Sequence, residues 1–173
     1  HGNVSPSHGY QVGVGTLASS ALYEQLLEES VDEFDLWTAI QRWPDEKTTE
    51  RWLADCFDVP MLVERARREV QAKAATTEQL TKQLAALRAC WPDLCRRLSV
   101  HLMPHDQLRQ FLEDAGCPTS PSDIGVDNSR LRKSYLQAYC IRRRFTVLDL
   151  AVRTGLLDKA LDRIFASTGR FPS

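Results

Sequence analysis

The sequence has no apolar run near the roughly 20 residues that a bilayer span requires, and no charged-then-apolar opening of the secretory kind. Neither sign of charge prevails: 22 Lys and Arg stand against 23 Asp and Glu, a formal net charge of -1. A global electrostatic reason to bind nucleic acid or a membrane surface is therefore missing. The five cysteines, Cys56, Cys90, Cys95, Cys117 and Cys140, are odd in number and include no CxxC pair. That usage argues against a disulfide framework or a zinc knuckle and for reduced thiols in a soluble, cytoplasmic protein. Internal repeats, low-complexity tracts and strand-like alternation are also lacking, which excludes a solenoid and leaves little room for a sheet.

What the chain does have is length, apolar content and helix signals. At 173 residues, 43% of them hydrophobic and 26% charged, one domain can bury about two thirds of its unfolded surface. The reading is a single all-α domain over residues 1–173, a multi-helix bundle of seven to nine helices. Ser7 is placed to cap a helix running to about Glu29. "DEFDLWTAIQRW" stops before Pro44, "KTTERWLADCF" starts near Thr48 or Thr49, and Pro60 opens "MLVERARREVQAKA" as a first-turn proline. "TTEQLTKQLAALRACW" carries Leu80, Leu84 and Leu87 at amphipathic spacing. Pro92 is expected to open a separate short helix, and Pro104 another, in which Leu108, Phe111, Leu112 and Ala115 share a face. Residues 116–128 form a loop rich in Pro, Ser, Gly and Asp. Three further helices follow, the last expected to end at Gly169.

The chain opens on His1 and lacks an initiator methionine, so it is read as a processed product or fragment whose first residues, "HGNVSPS", form a loop entered from something upstream. The helix after that loop poses the main question. It carries Gly13 and Gly15 inside it, each costing roughly 1 kcal/mol against alanine, along with His8, Gly9, Thr16, Ala18, Ser19 and Ser20. Tight packing against a neighbouring helix is the plain explanation. The sharper one makes His8 a ligand beside a cleft.

"SHGYQVGVGTL" resembles the His-Gly helix of the iron-containing alcohol dehydrogenase superfamily, in its sn-glycerol-1-phosphate dehydrogenase-like branch. "IRRRFTVLDLAVRTGLLD", residues 141–158, is similar to the same branch's C-terminal Ile-Arg-x-Arg-Tyr/Phe-Thr-x-Leu-Asp-Leu segment. The resemblance spans most of residues 5–165, with residues 35–105 matching only in helical character. It implies an NAD(P)-dependent, metal-dependent dehydrogenase acting on a small phosphorylated ketone. In such proteins an N-terminal dinucleotide-binding domain precedes a helical domain, and the substrate and a divalent zinc or iron ion lie between them. This chain corresponds to the helical part alone and contains no strand-Gly-rich-helix unit of the nucleotide-binding kind.

The residues carried over are correspondingly few. His8 matches the metal-binding histidine that heads the family's helix, while the Asp and the other His of that set belong upstream. Gly9, Gly13 and Gly15 match the positions that let the helix approach its surroundings closely. Tyr10 departs from the Glu or Phe common there. With one ligand left, the chain alone is expected to bind neither metal nor NAD(P) and to be inactive, its partners being the absent domain and a small phosphorylated substrate. The face where that domain docks is a candidate for homo-oligomer contacts.

Two other groups of residues merit weighing. His101 and His105 are four apart, but Pro104 lies between them and breaks the turn that would aim both at one metal. Arg130, Arg132, Lys133, Arg142, Arg143 and Arg144 form a local basic excess, ordinarily a solvated face with some internal pairing. Arg142 and Arg144 are the candidates for a phosphate contact. The alternative to an enzyme domain is a helical interaction module that uses this basic face without catalysis.

Overall fold

The computed structural model describes residues 6–30 and 35–172. His1, and the first residues of the expected second helix, lie outside them. Among the described residues nine α-helices stand in chain order: α1 (His8–Leu27), α2 (Leu36–Arg42), α3 (Glu46–Cys56), α4 (Pro60–Gln71), α5 (Thr77–His101), α6 (His105–Asp114), α7 (Asn128–Cys140), α8 (Val147–Arg153) and α9 (Leu157–Ile164). The loop before α7 contains a single 3-10 turn, Pro121–Ile124. The described residues include no strand, and none of their helices is long and apolar enough to cross a membrane.

Local chemistry explains most of these boundaries. The Ser7 hydroxyl accepts the Tyr10 N–H at 3.3 Å and so starts α1 as its position in the sequence suggests. Asp35 accepts the N–H groups of Trp37 and Thr38, and Asp45 that of Thr48, satisfying donors the first turn leaves free. The cap of α3 is therefore Asp45, ahead of Thr48 and Thr49. Pro60 is the first residue of α4, where its missing N–H costs nothing. Thr76 with Gln79 and Thr146 with Asp149 form reciprocal capping boxes at α5 and α8.

Two breaks expected from proline and glycine fall elsewhere. Pro92 starts no new helix: it lies inside α5, which runs unbroken from Thr77 to His101, 25 residues in all. An interior proline gives up one helical hydrogen bond, yet both sides of this one are fastened to the core. Trp91 is only 2% exposed, and Leu87 and Leu94 pack against the same cluster. Tertiary packing overrides the local penalty. At the other end, α9 stops at Ile164 and not at Gly169. Gly169 sits where the chain folds back over that helix end. A Cβ there would come within 2.3 Å of the carbonyls of Arg163 and Ile164, and Phe171 N–H then donates to the Ile164 carbonyl at 2.9 Å. The helix ends that do use left-handed glycine include those of α6, at Gly116 with φ +66, and α8, at Gly155 with φ +69.

The core is organised around α1, whose Val14, Leu17, Ala18, Ala21, Leu22 and Leu26 are buried. It packs on α6, α8 and α9, while α7 packs on α3, α4 and α8. A smaller cluster, Ala39, Leu80 and Leu84, joins α2 to the first half of α5. Of the face expected on α6, Leu108 and Leu112 reach the core, but Phe111 is 52% exposed and Ala115 is exposed. The helix lies with Leu112 against Gly13 of α1, which turns Phe111 outward.

Candidate functional site

The first half of α1 is rich in small residues and is covered on one side only. Val14, Leu17 and Ala18 face the core. His8, Gly9, Gln11, Gly15, Thr16 and Ser19 are exposed, and so are Tyr10 and Val12. Tyr10 and Val12 are thus apolar side chains left among polar ones and glycines on the open side.

The three glycines differ in their surroundings. A Cβ at Gly13 would lie 3.7 Å from Leu112 Cδ2 and 4.0 Å from the Pro118 carbonyl, ordinary packing distance. At Gly9 it would meet only the Ser7 hydroxyl, at 3.9 Å, and at Gly15 nothing within 4 Å. Close approach inside this domain thus accounts for Gly13 alone. Gly15 instead opens onto a cavity of about 310 Å³ whose walls include Ser19 of α1, Ser134 and Ala138 of α7, Arg142 and Thr146. Tyr135, also on its wall, is anchored by a hydrogen bond from its hydroxyl to the Ala18 carbonyl at 2.7 Å. Burial raises the pKa of that phenol, so it stays neutral.

Arg142 is therefore brought to the same cavity as Gly15, whereas its basic neighbours are mostly engaged elsewhere. Arg143 pairs in bidentate fashion with Glu69, at 2.9 Å on both sides, and Arg132 with Asp162 at 2.6 Å. Arg130 donates to Gln137. Arg142 and Arg144 are exposed and make no ion pair among the described residues, and Arg144 does not line the cavity. Sequence reasoning does not single out Ser134 and Thr146. The available signal is the pair Ser134 and Ala138, one turn apart on α7 and followed just past its end by Arg142.

As a metal centre, the described residues offer little besides His8. No group of three or more His, Cys, Asp or Glu side chains converges among them. His101 is exposed at the end of α5, and His105 is buried at the start of α6 against Phe171, so the two do not form a site. A single imidazole is short of the roughly three protein ligands of a catalytic zinc, and the described residues by themselves do not fit such an ion.

His105 is instead a structural group of an uncommon kind. It is 1% exposed, and neither ring nitrogen has a hydrogen-bond partner among the described residues; Nδ1 stands 3.5 Å from Asp106 Oδ1. Its backbone N–H donates to Glu24 at 2.8 Å, and Arg170 bridges Glu24 and Asp106. Burial first, and the Arg170 charge second, hold its pKa below the ordinary histidine value, against the pull of Asp106 and Glu24. The unfolded chain therefore takes up this proton at a higher pH than the native one. Stability should fall as pH drops through about 6.5 and below, by at most about 1.4 kcal/mol per pH unit. Urea midpoints measured between pH 7.5 and 5 should show that slope in the native chain and lose it in His105→Phe. An unchanged slope in the variant would assign the effect to other groups.

No family model, no curated protein and no solved structure matches this chain.

Proposed function

We propose that this chain is the helical, substrate-side domain of an NAD(P)-dependent, metal-dependent dehydrogenase that acts on a small phosphorylated ketone such as dihydroxyacetone phosphate. The observation that carries the reading is the bare face of α1. It presents His8 at one end and, about 10 Å further along the axis, Gly15 at a cavity with the unpaired Arg142 on its wall. The motif resemblance at residues 7–17 and 141–150 falls on the two segments that meet there, α1 and the approach to α8.

Each part has a limited task in this reading. Arg142 supplies a delocalised cation suited to phosphate oxygens. Gly15 leaves room for a substrate or a second domain against α1. His8 is one donor of a set whose other members come from the N-terminal dinucleotide-binding domain, and the described residues build no metal centre without it. The interaction-module reading draws less support, because Arg143 and Arg132 of its basic face are neutralised within the domain.

The test uses the longest natural reading frame that contains this sequence, stripped of metal and then given zinc or iron. Oxidation of NADH and NADPH is followed with dihydroxyacetone phosphate. Metal-dependent turnover should vanish in His8→Ala. Arg142→Gln should raise KM some 10- to 100-fold, the loss expected for one charge-assisted hydrogen bond, without lowering the melting temperature. A folded protein that turns over neither this nor related ketones with either metal would end the dehydrogenase reading.

A further inference from the structure

We propose that the cavity between α1, the end of α5 and the start of α6 binds a small amphipathic cation, an ammonium on an alkyl or aryl body, whose charge is met by Glu28. The site goes beyond the dehydrogenase reading, whose phosphorylated substrate has the opposite charge. The cavity encloses about 610 Å³, within the range of small-molecule sites. One side of α1 makes its floor: Thr16, Ser20, Tyr23, Glu24, Leu27 and Glu28 recur at mostly three- and four-residue steps and so stack along one face of the helix. Across from them stand Leu102, Met103, Pro104 and Leu108, where the chain turns from α5 into α6. Most of this wall is apolar, and Met103 is 42% exposed. An apolar ligand body would take that surface out of water.

Charge selects the class of ligand. The cavity is lined by the carboxylates of Glu24 and Glu28 and by a single cation, Arg170. Arg170 donates to Glu24 at 3.0 Å and to Asp106 at 2.6 Å, and Glu24 also accepts the His105 N–H, so that side of the cavity is provided for within the chain. Glu28 is not. It makes no ion pair among the described residues, and the one hydrogen bond to its carboxylate, from the Gln25 side-chain amide, is long at 3.4 Å. Its position adds to its charge: Glu28 caps the C-terminal end of α1, where the helix carries partial negative charge and the last turn has no basic side chain. The adjacent Glu29 shows the ordinary remedy, since Lys159 and Arg163 both bind its carboxylate. At Glu28 a ligand ammonium would fill that place. Tyr23 adds an aromatic ring to the same wall, a surface that cations favour. An anion would be repelled by Glu28, and a neutral molecule would leave its charge unanswered.

The experiment titrates the protein, in the longest natural reading frame that contains this sequence, with 4-phenylbutylamine by isothermal calorimetry. The neutral 4-phenylbutan-1-ol and the anionic 4-phenylbutyrate are comparators of nearly the same size and shape. The amine should bind at one site with a Kd of roughly 0.1–1 mM, as suits so small a molecule. It should bind about 5-fold tighter than the alcohol, the modest gain of an ion pair with an exposed carboxylate, and the anion should bind weakest. Glu28→Gln should remove that preference and leave the alcohol unchanged. Ser99→Trp places a large ring at the cavity from an exposed position on α5, so it should weaken amine and alcohol alike by about 10-fold or more. Arg142→Gln should affect neither, which keeps this result separate from the phosphate reading and from whether any ketone is reduced. Melting curves of each variant confirm that it is folded. No binding of the amine up to about 10 mM, equal binding of amine and alcohol, or a preference that survives Glu28→Gln would overturn the proposal. Amine binding that is indifferent to Ser99→Trp would overturn it too, by placing the site elsewhere.

Discussion

Replacing Asp149 by alanine is expected to destabilise the fold by about 3–5 kcal/mol. Asp149 is 2% exposed, and its Oδ1 lies 3.0 Å from Lys73 Nζ. Its other oxygen accepts the backbone N–H and the hydroxyl of Thr146, at 2.9 and 3.0 Å. Lys73 is equally enclosed: Nζ donates to the Tyr139 carbonyl at 2.6 Å and sits 3.6 Å above the Tyr139 ring. Burial lowers the Lys73 pKa in spite of the carboxylate, so the ammonium depends on that partner for what solvation it has. Alanine leaves it in the core with one carbonyl and one ring face, and also opens the cap of α8. Urea unfolding followed by circular dichroism should register the loss, equivalent to a melting temperature lower by roughly 6–20 °C. The double change Lys73→Met, Asp149→Leu should recover most of it, because a well-packed apolar pair of similar volume is often as good as a buried ion pair. A single-variant loss below about 1 kcal/mol would mean the pair behaves as an exposed one.

Trp91→Ala should cost a comparable amount, about 3–5 kcal/mol, for a different reason. Trp91 is among the largest fully buried side chains, and its indole N–H donates to the Glu29 carbonyl at 3.0 Å. Truncation leaves a cavity at the point where α5 is fastened to the core, directly beside the helix-weakening Pro92. Trp91→Phe separates the two contributions. It keeps most of the apolar volume but strands the Glu29 carbonyl, so about 1–3 kcal/mol should be lost. Equal losses in the two variants would show that the hydrogen bond, and not the packing, dominates. Hydrogen exchange on both would also show whether α5 still opens as one helix.

Signals carried by a few adjacent residues are legible in the sequence. Ser7, Pro60 and the Leu80–Leu84–Leu87 stripe are local statements about a helix start or a helix face, and the chain obeys them. Pro92 is also a local statement, but the buried Trp91 and its neighbours along α5 outweigh it. Gly169 marks a helix end, though by lying against the last carbonyls of α9 and not by adopting a left-handed turn. What stays hidden depends on partners remote in sequence. Lys73, between alanines in "QAKAA", reads as a solvated helix end until Tyr139 and Asp149 enclose it. The approach of Arg142 to Gly15 is likewise set by remote contacts, among them the Tyr135 hydroxyl of α7 on the Ala18 carbonyl of α1. Of the candidate site, His8 and Arg142 can be named from the sequence, and the cavity between Gly15 and Arg142 cannot. The segment "TVLDL" is instructive in this respect. Its threonine and aspartate are accounted for by the α8 capping box and the Lys73 pair, before any catalytic role is invoked.

The pairing of α1 with α9 also governs the order in which the molecule can be made. Glu29, just beyond α1, takes its cation from Lys159, 130 residues later in the chain, and Arg163 binds the same carboxylate. A ribosome adding roughly 5–20 residues per second delivers that counterpart about 7–26 s after Glu29 has been joined to the nascent chain. For that interval the inner side of α1 lacks the cover of α9, and α6 and then α8 are the helices that can pack on it as they are made.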